Sequence, residues 1–176
     1  EFYKDFVEII CPEYFTLPIE FLRRRNPIFS ACASLKVLER KKTKFDIIHA
    51  HRLDFGLTGA ILKERYNRPL IITCHGSDVY DFPFRDNLRH SVAKYVLSKA
   101  DHIIAVCRSD AEKLAALGFQ PSKITIIPNG FDDRIFRPIP PQAARDKLGL
   151  PRNRRIILSV GTLNTVKGHV YLIDAV

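Results

Sequence analysis

From Phe45 onward, short apolar runs alternate with stretches whose apolar residues recur at helical spacing. The runs Asp46 to Ala50, Leu70 to Cys74, His102 to Cys107 and Lys123 to Ile127 are rich in isoleucine and predict strands. Between them, Leu57 to Tyr66 puts Leu57, Ile61 and Leu62 on one face, and Asn87 to Ala100 repeats Val92, Tyr95, Val96 and Lys99 at the same spacing. Both predict helices. Ser109 and Glu112 have the spacing of a capping box, in which the hydroxyl takes a free amide of the first turn, and Gly118 closes that helix. β-branched strands alternating with helices are what a parallel sheet buried on both faces requires. The expected fold is α/β, with a doubly wound parallel sheet.

After Ile127 the pattern changes. Pro128, Pro138, Pro140, Pro141 and Pro151 are five of the chain's 11 prolines, and only one short helix, Gln142 to Leu148, fits between them. This reads as a domain boundary. Beyond it, Arg155 to Val160 predicts a fifth strand, Gly161 to Gly168 a loop, and Tyr171 to Val176 a helix. A lone βα unit cannot bury both of its faces, so these residues are expected either to begin a second domain or to pack back on the first.

Composition adds bounds. Hydrophobic residues at 46% and charged residues at 27% exclude a disordered or collagen-like chain. No apolar run approaches the roughly 18 residues of a membrane-spanning helix, and Glu1 to Glu8 is no signal peptide, so the expected location is cytoplasmic. The chain has no Met, even at position 1, and reads as a piece of a longer product. Of the net charge of +9, most lies between Glu20 and Lys44, where eight basic residues face two acidic ones. Cys11, Cys32, Cys74 and Cys107 show no zinc or disulfide spacing, and Cys74 and Cys107 end apolar runs as expected of buried small hydrophobes.

In an open parallel sheet, ligands bind at the carboxyl ends of the strands, where helix N-termini present free amides. The polar clusters fall at that edge: His49-Ala-His51, His75-Gly76-Ser77-Asp78, Arg108-Ser-Asp110, Asn129-Gly-Phe-Asp132 and Gly161 to Lys167. His75 is the sharpest candidate, since an imidazole donates, accepts or carries charge near neutrality and Gly76 lets backbone approach a ligand. His51 is expected to face a ligand, whereas His49 reads as a satisfied, partly buried residue. His90, His102 and His169 read as structural or surface residues. A metal hydrolase of the HxHxDH type would need Asp at 53 and His at 54, where Leu53 and Asp54 stand. Lys167, beside a helix start, suits a diphosphate, but there is no GxxxxGK[ST] loop, no GxGxxG and no DxD pair, since Asp132 and Asp133 are adjacent.

Five segments in order carry a resemblance: FDIIHAH (Phe45 to His51), PLIITCHGSDVY (Pro69 to Tyr80), KADHIIAVCRSDAEKLAALG (Lys99 to Gly118), KITIIPNGFDDRIFRP (Lys123 to Pro138) and IILSVGTLNTVKGHVYLIDA (Ile156 to Ala175). Together they resemble the GT-B-type retaining glycosyltransferases of group 1, family 4. The resemblance implies two Rossmann-like domains, of which residues 1–137 would be the acceptor-side N-terminal domain without its first strand and glycine-rich loop. Residues 138–153 would be the linker, and 154–176 the start of a donor-binding domain. It implies transfer of a sugar from a nucleotide-sugar donor to a glycan or lipid-linked acceptor with retention of configuration and without a metal or other cofactor. His75 matches the family's HG-type catalytic histidine, with His51, Gly76, Ser77 and Asp78 on the acceptor side. Asn129, Gly161, Thr162 and Lys167 fall on the donor side, Lys167 matching the diphosphate-binding basic residue. Thr162 replaces the Arg that commonly follows the loop glycine. The paired glutamates that hold the donor lie beyond these residues, so the piece alone is expected to be inactive.

Other readings compete. The stretch Arg23 to Lys44, with Phe29, Leu35 and Leu38 interspersed, suits peripheral contact with an anionic membrane surface at roughly 1 kcal/mol per basic residue, or equally a solvated helix face. Nucleic-acid binding is disfavoured, because aromatic platforms and a recognition motif are missing. A sugar-nucleotide epimerase or a non-catalytic sugar-binding module shares the architecture, but the epimerases lack a VGTLNTVKG-type start to the second domain.

Overall fold

The strand-and-helix alternation folds into a single parallel sheet. The computed structural model describes residues 7–14 and 26–176, so Arg23, Arg24 and Arg25 of the basic stretch lie outside the described residues. In chain order come α1 (Asn26–Lys41), β1 (Ile48–His51), α2 (Leu53–Tyr66), β2 (Leu70–Cys74), α3 (Ser77–Tyr80), a 3-10 turn (Phe82–Phe84), α4 (Asn87–Lys99), β3 (His102–Ala105), α5 (Arg108–Ala116) and β4 (Ile124–Ile126). The chain forms two compact units, Glu1–Gly130 and Phe131–Val176.

In the first unit the sheet order is β1-β2-β3-β4, every pair parallel. Sequential order with right-handed crossovers carries the connecting helices to one face. The register agrees: Ala50, Ile72, Ile103 and Ile124 stand in one row on that face, and Ile72 and Ile103 are fully buried. α2 lies against β1 and β2 and packs on α4 and α1. The close approach rests on two glycines: a Cβ at Gly56 would stand 2.6 Å from Val96 Cγ1, and one at Gly59 would stand 2.6 Å from Leu70 Cδ1. Leu53, Leu70, Ile72, Ile103 and Leu114 fill the interior, each contributing roughly 1.5–3 kcal/mol by leaving water.

The opposite face carries His49, Ile71 and His102 in one row and His51, Thr73, Ile104 and Thr125 in the next. Burial therefore alternates along β1 and β3 instead of running continuously, and Ile47, just before β1, is 58% exposed. The parallel α/β architecture stands as expected. Among the described helices, α2 packs on β1 and β2, and α5 on β3 and β4.

The second unit contains α6 (Pro141–Leu148) and α7 (His169–Asp174). The strand expected over Arg155 to Val160 does not form, and Leu158 and Val160 are 82% and 85% exposed. A strand needs a ladder partner for its amides and carbonyls, and the unit offers none. No described residue of this unit is buried.

The capping expectation also needs correction. α5 begins at Arg108 with Cys107 as its N-cap and no side-chain cap, which places Ser109 inside the first turn. Cys107 is exposed where burial was expected, while Cys74 is fully buried. All four cysteines are free.

Candidate functional site

The carboxyl ends of β1 and β2 bring together the first two polar clusters. His51 ends β1, and His75 follows β2 directly. His51 Nδ1 and His75 Nε2 share a hydrogen bond of 3.0 Å, the rings stacked with centroids 5.3 Å apart. The His49 ring lies tilted by 32° against that of His51, centroids 4.6 Å apart, and shares a 2.7 Å hydrogen bond with Thr73 Oγ1. The expectation of a satisfied His49 holds, although the residue is exposed on the open sheet face. Burial first, and then the His51 charge, push its imidazole below the usual histidine value, which favours the neutral ring. His51 and His75 are exposed. A groove of about 250 Å³ runs beside His49 and His51 and is walled by Ser30 and Ser34 of α1 and Phe55 and Thr58 of α2.

The other residues of the second cluster divide by burial. Gly76 is buried at φ 96°, a conformation open to glycine, and caps α3. A Cβ there would lie 3.1 Å from the Tyr80 ring. Ser77 is half-buried, and Asp78 is fully buried, its Oδ1 accepting from the His75 amide and its Oδ2 from the Leu53 amide, both at 2.9 Å. Asp78 was expected on the acceptor side; the structure places it behind the loop.

Arg52 was not expected at this edge. It occupies the N-cap of α2 with φ 74° and ψ 146°, a backbone region that costs a residue with a side chain roughly 1–3 kcal/mol. Its guanidinium donates to both Asp54 oxygens at 3.0 and 3.1 Å and reaches Ser77 Oγ at 3.4 Å. The Asp54 hydrogen bonds raise its pKa further, with help from the Asp54 and Asp78 charges. A sequence signal existed: N-caps are usually Ser, Thr, Asp or Asn, and an Arg between a strand end and a helix start is an anomaly.

Asp110, in the first turn of α5, is 3% exposed, and its Oδ2 is the one fully buried side-chain oxygen without a partner among the described residues. The Cys74 thiol is pushed far up, first by burial and then by Asp78, and is held protonated. No group of three or more His, Cys, Asp or Glu suited to a metal occurs among the described residues. His90 Nδ1 meets the Pro83 carbonyl and His102 Nε2 meets Thr125 Oγ1, in keeping with structural roles.

The expected donor-side residues divide between the two units. Asn129 is exposed near the end of the first unit. Gly161, Thr162 and Lys167 belong to the second unit, where Asn164 Oδ1 accepts from the Lys167 amide and Asn164 Nδ2 donates to Thr162 Oγ1. His169 bridges Ser159 Oγ and the Thr162 carbonyl. Asp132 pairs through both oxygens with Arg134, which lowers its pKa. A larger cleft of about 740 Å³, lined by Lys42, Lys44, Arg65, Arg68, Asp46 and Glu39, lies at the amino end of β1, away from the histidines.

Comparison with known proteins places this arrangement. The chain is 31% identical over 163 residues to a D-inositol 3-phosphate glycosyltransferase of Thermobispora bispora, covering 85% of this chain and 38% of the relative. It is 30% identical over 131 residues to the enzyme of that name from Mycobacterium bovis, covering 70% and 27%. It thus spans less than two fifths of the length of these relatives. Among solved structures, sucrose-phosphate synthase from Thermosynechococcus elongatus superposes with a TM-score of 0.72 at 23% identity, covering 91% of this chain and 41% of that one. Anabaena HepE in complex with UDP superposes with a TM-score of 0.63 at 22% identity, covering 82% and 39%. The profile of Glycosyltransferase Family 4 matches residues 3–134, three quarters of the chain, and the chain belongs to that family.

Proposed function

We propose that this chain is the acceptor-side part of a retaining glycosyltransferase that moves a sugar from a nucleotide-sugar donor to a glycan, lipid-linked or small-molecule acceptor. The observation that carries the reading is the exposed His75 imidazole at the carboxyl edge of the sheet, on a loop held by a buried carboxylate and against a second exposed imidazole. A ring so placed orients an acceptor hydroxyl by hydrogen bonding, with His51, Gly76 and Ser77 shaping the acceptor side. Lys167, with Asn129, Gly161 and Thr162, would meet the donor, and its ammonium would stabilise charge developing on the departing diphosphate. The reaction needs no metal in this reading. HepE has been solved with UDP and with UDP-glucose, which makes UDP-glucose the first donor to try.

The test uses the full-length protein and a panel of nucleotide-sugar donors and acceptors, with nucleotide release as the rate and the product anomer read by NMR. His75→Ala is expected to lower turnover about 10²- to 10⁴-fold with the fold intact. Unchanged turnover removes His75 from the reaction, and an inverted anomer removes retention. The described part of the basic stretch, Lys36 to Lys44, supports peripheral membrane contact, since Lys36, Arg40, Lys41, Lys42 and Lys44 are all exposed. No described helix is long and apolar enough to cross a membrane. Co-sedimentation with phosphatidylserine vesicles, but not with phosphatidylcholine vesicles, is the expected result.

A further inference from the structure

α2 starts without a cap of its own. Its N-cap is Arg52, whose guanidinium turns away to Asp54, and no side chain of the segment takes the Leu53 amide. Leu53 is fully buried, so water does not take that amide either, and an unpaired amide there would be costly. The oxygen that accepts it comes from another βα unit: Asp78 Oδ2, 25 residues on, at 2.9 Å. The negative charge at the first turn is also of the sign that a helix N-terminus favours. The second oxygen, Oδ1, accepts from the amide of His75 at 2.9 Å. Asp78 is itself fully buried. One carboxylate therefore caps a helix of the first βα unit and ties down the backbone of the histidine turn in the second.

We propose that Asp78 is a positioning residue for His75: by joining the Leu53 and His75 amides it fixes the spacing of the two loops, and so holds the His75 imidazole on His51. The distances fit together. Arg52 donates its amide to the Thr73 carbonyl at 2.7 Å, extending the β1–β2 ladder by one step, before its left-handed turn aims the next amide, Leu53, at Asp78. Beside that amide bond lie the His51–His75 contact at 3.0 Å and the Arg52–Ser77 contact at 3.4 Å. Asp78 supplies the buried member of this set; the other two are partly or wholly exposed and follow it. This inference takes from the preceding section the reading that His75 faces the reacting groups.

Asp78→Asn keeps the volume and turns one acceptor oxygen into a donor facing a backbone amide. The chain is measured by hydrogen exchange of backbone amides and by imidazole ¹⁵N spectra of His51 and His75. The expected result is exchange roughly 10- to 100-fold faster at Leu53 or His75, with Ile72 and Ile103 unchanged, together with loss of the His51–His75 hydrogen-bond signature. Asp78→Ala removes both acceptor oxygens and should release both amides. An Asn variant that loses amide protection but keeps the imidazole signature makes Asp78 a purely structural residue and overturns the proposal. Fast exchange at Leu53 or His75 in the unsubstituted chain overturns it as well, whether or not either variant folds. These readouts need no turnover. Loss of the reaction role of His75 would leave them unmoved, and their failure would leave the His75→Ala result standing.

Discussion

Replacing Arg52 by Gly and by Ala separates backbone strain from side-chain contacts. Both variants lose the same guanidinium, with its hydrogen bonds to Asp54 and Ser77. They differ only in whether a Cβ must sit at φ 74° and ψ 146°. That conformation costs Ala roughly 1–3 kcal/mol and Gly almost nothing. Against this stands the greater freedom that Gly loses on folding, about 0.5–1 kcal/mol. Arg52→Gly is thus expected to leave the chain more stable than Arg52→Ala does by about 1 kcal/mol, the reverse of the usual order of these residues. Urea denaturation followed by far-UV circular dichroism measures the difference directly, and thermal midpoints should separate by roughly 2–4 °C. An Ala variant more stable than the Gly variant would refute the left-handed turn at Arg52, and with it the aim of the Leu53 amide at Asp78.

Two further outcomes are expected. Cys74 is buried and its thiol is pushed up, so a thiol reagent at pH 8 should titrate the exposed Cys11, Cys32 and Cys107 quickly and Cys74 only on unfolding; fast reaction of all four thiols would contradict the buried core. Burial raises the pKa of Asp101, but the Lys63 ammonium and the Leu70 amide outweigh it, and the carboxyl ends below its ordinary 3.8. A depressed carboxyl stabilises the fold above its unfolded pKa and loses that contribution as pH falls below about 3.8 through the folded value. Asp101→Asn should cost about 1 kcal/mol or less at pH 7, because the group is half exposed and screened by solvent, and should flatten the acid limb of the stability curve. An unchanged acid limb would place that limb on other carboxyls.

The apolar runs located the four strands, and Leu70 to Cys74 matches β2 residue for residue, because an isoleucine-rich run between polar loops has few alternatives in a parallel sheet. The fifth run, Arg155 to Val160, reads equally well and stays extended without pairing, since strand formation depends on partners that a local pattern does not record. Ser109 to Glu112 had the right spacing for a capping box, but α5 started two residues earlier, with Cys107 as its N-cap. At the site, His51, His75, Gly76 and Ser77 were legible as polar residues at strand ends. The burial of Asp78 was not, and the unusual Arg at the end of β1 marked the place but not the turn at Arg52, because both depend on which loops the sheet register sets side by side. A helix capped from another loop leaves no local motif.

The strand order has a kinetic side. Each strand of this sheet pairs with the next one in the chain, so every pairing closes only a few tens of residues and the sheet can grow one neighbour at a time. His49, His51 and His75 all derive from the first of these pairings, β1 with β2. During synthesis, that pairing becomes available as soon as the chain through Tyr80 has emerged, ahead of β3 and β4. The imidazole contacts thus belong to the first closure available among the four described strands, and β3 and β4 are added to a histidine edge already assembled.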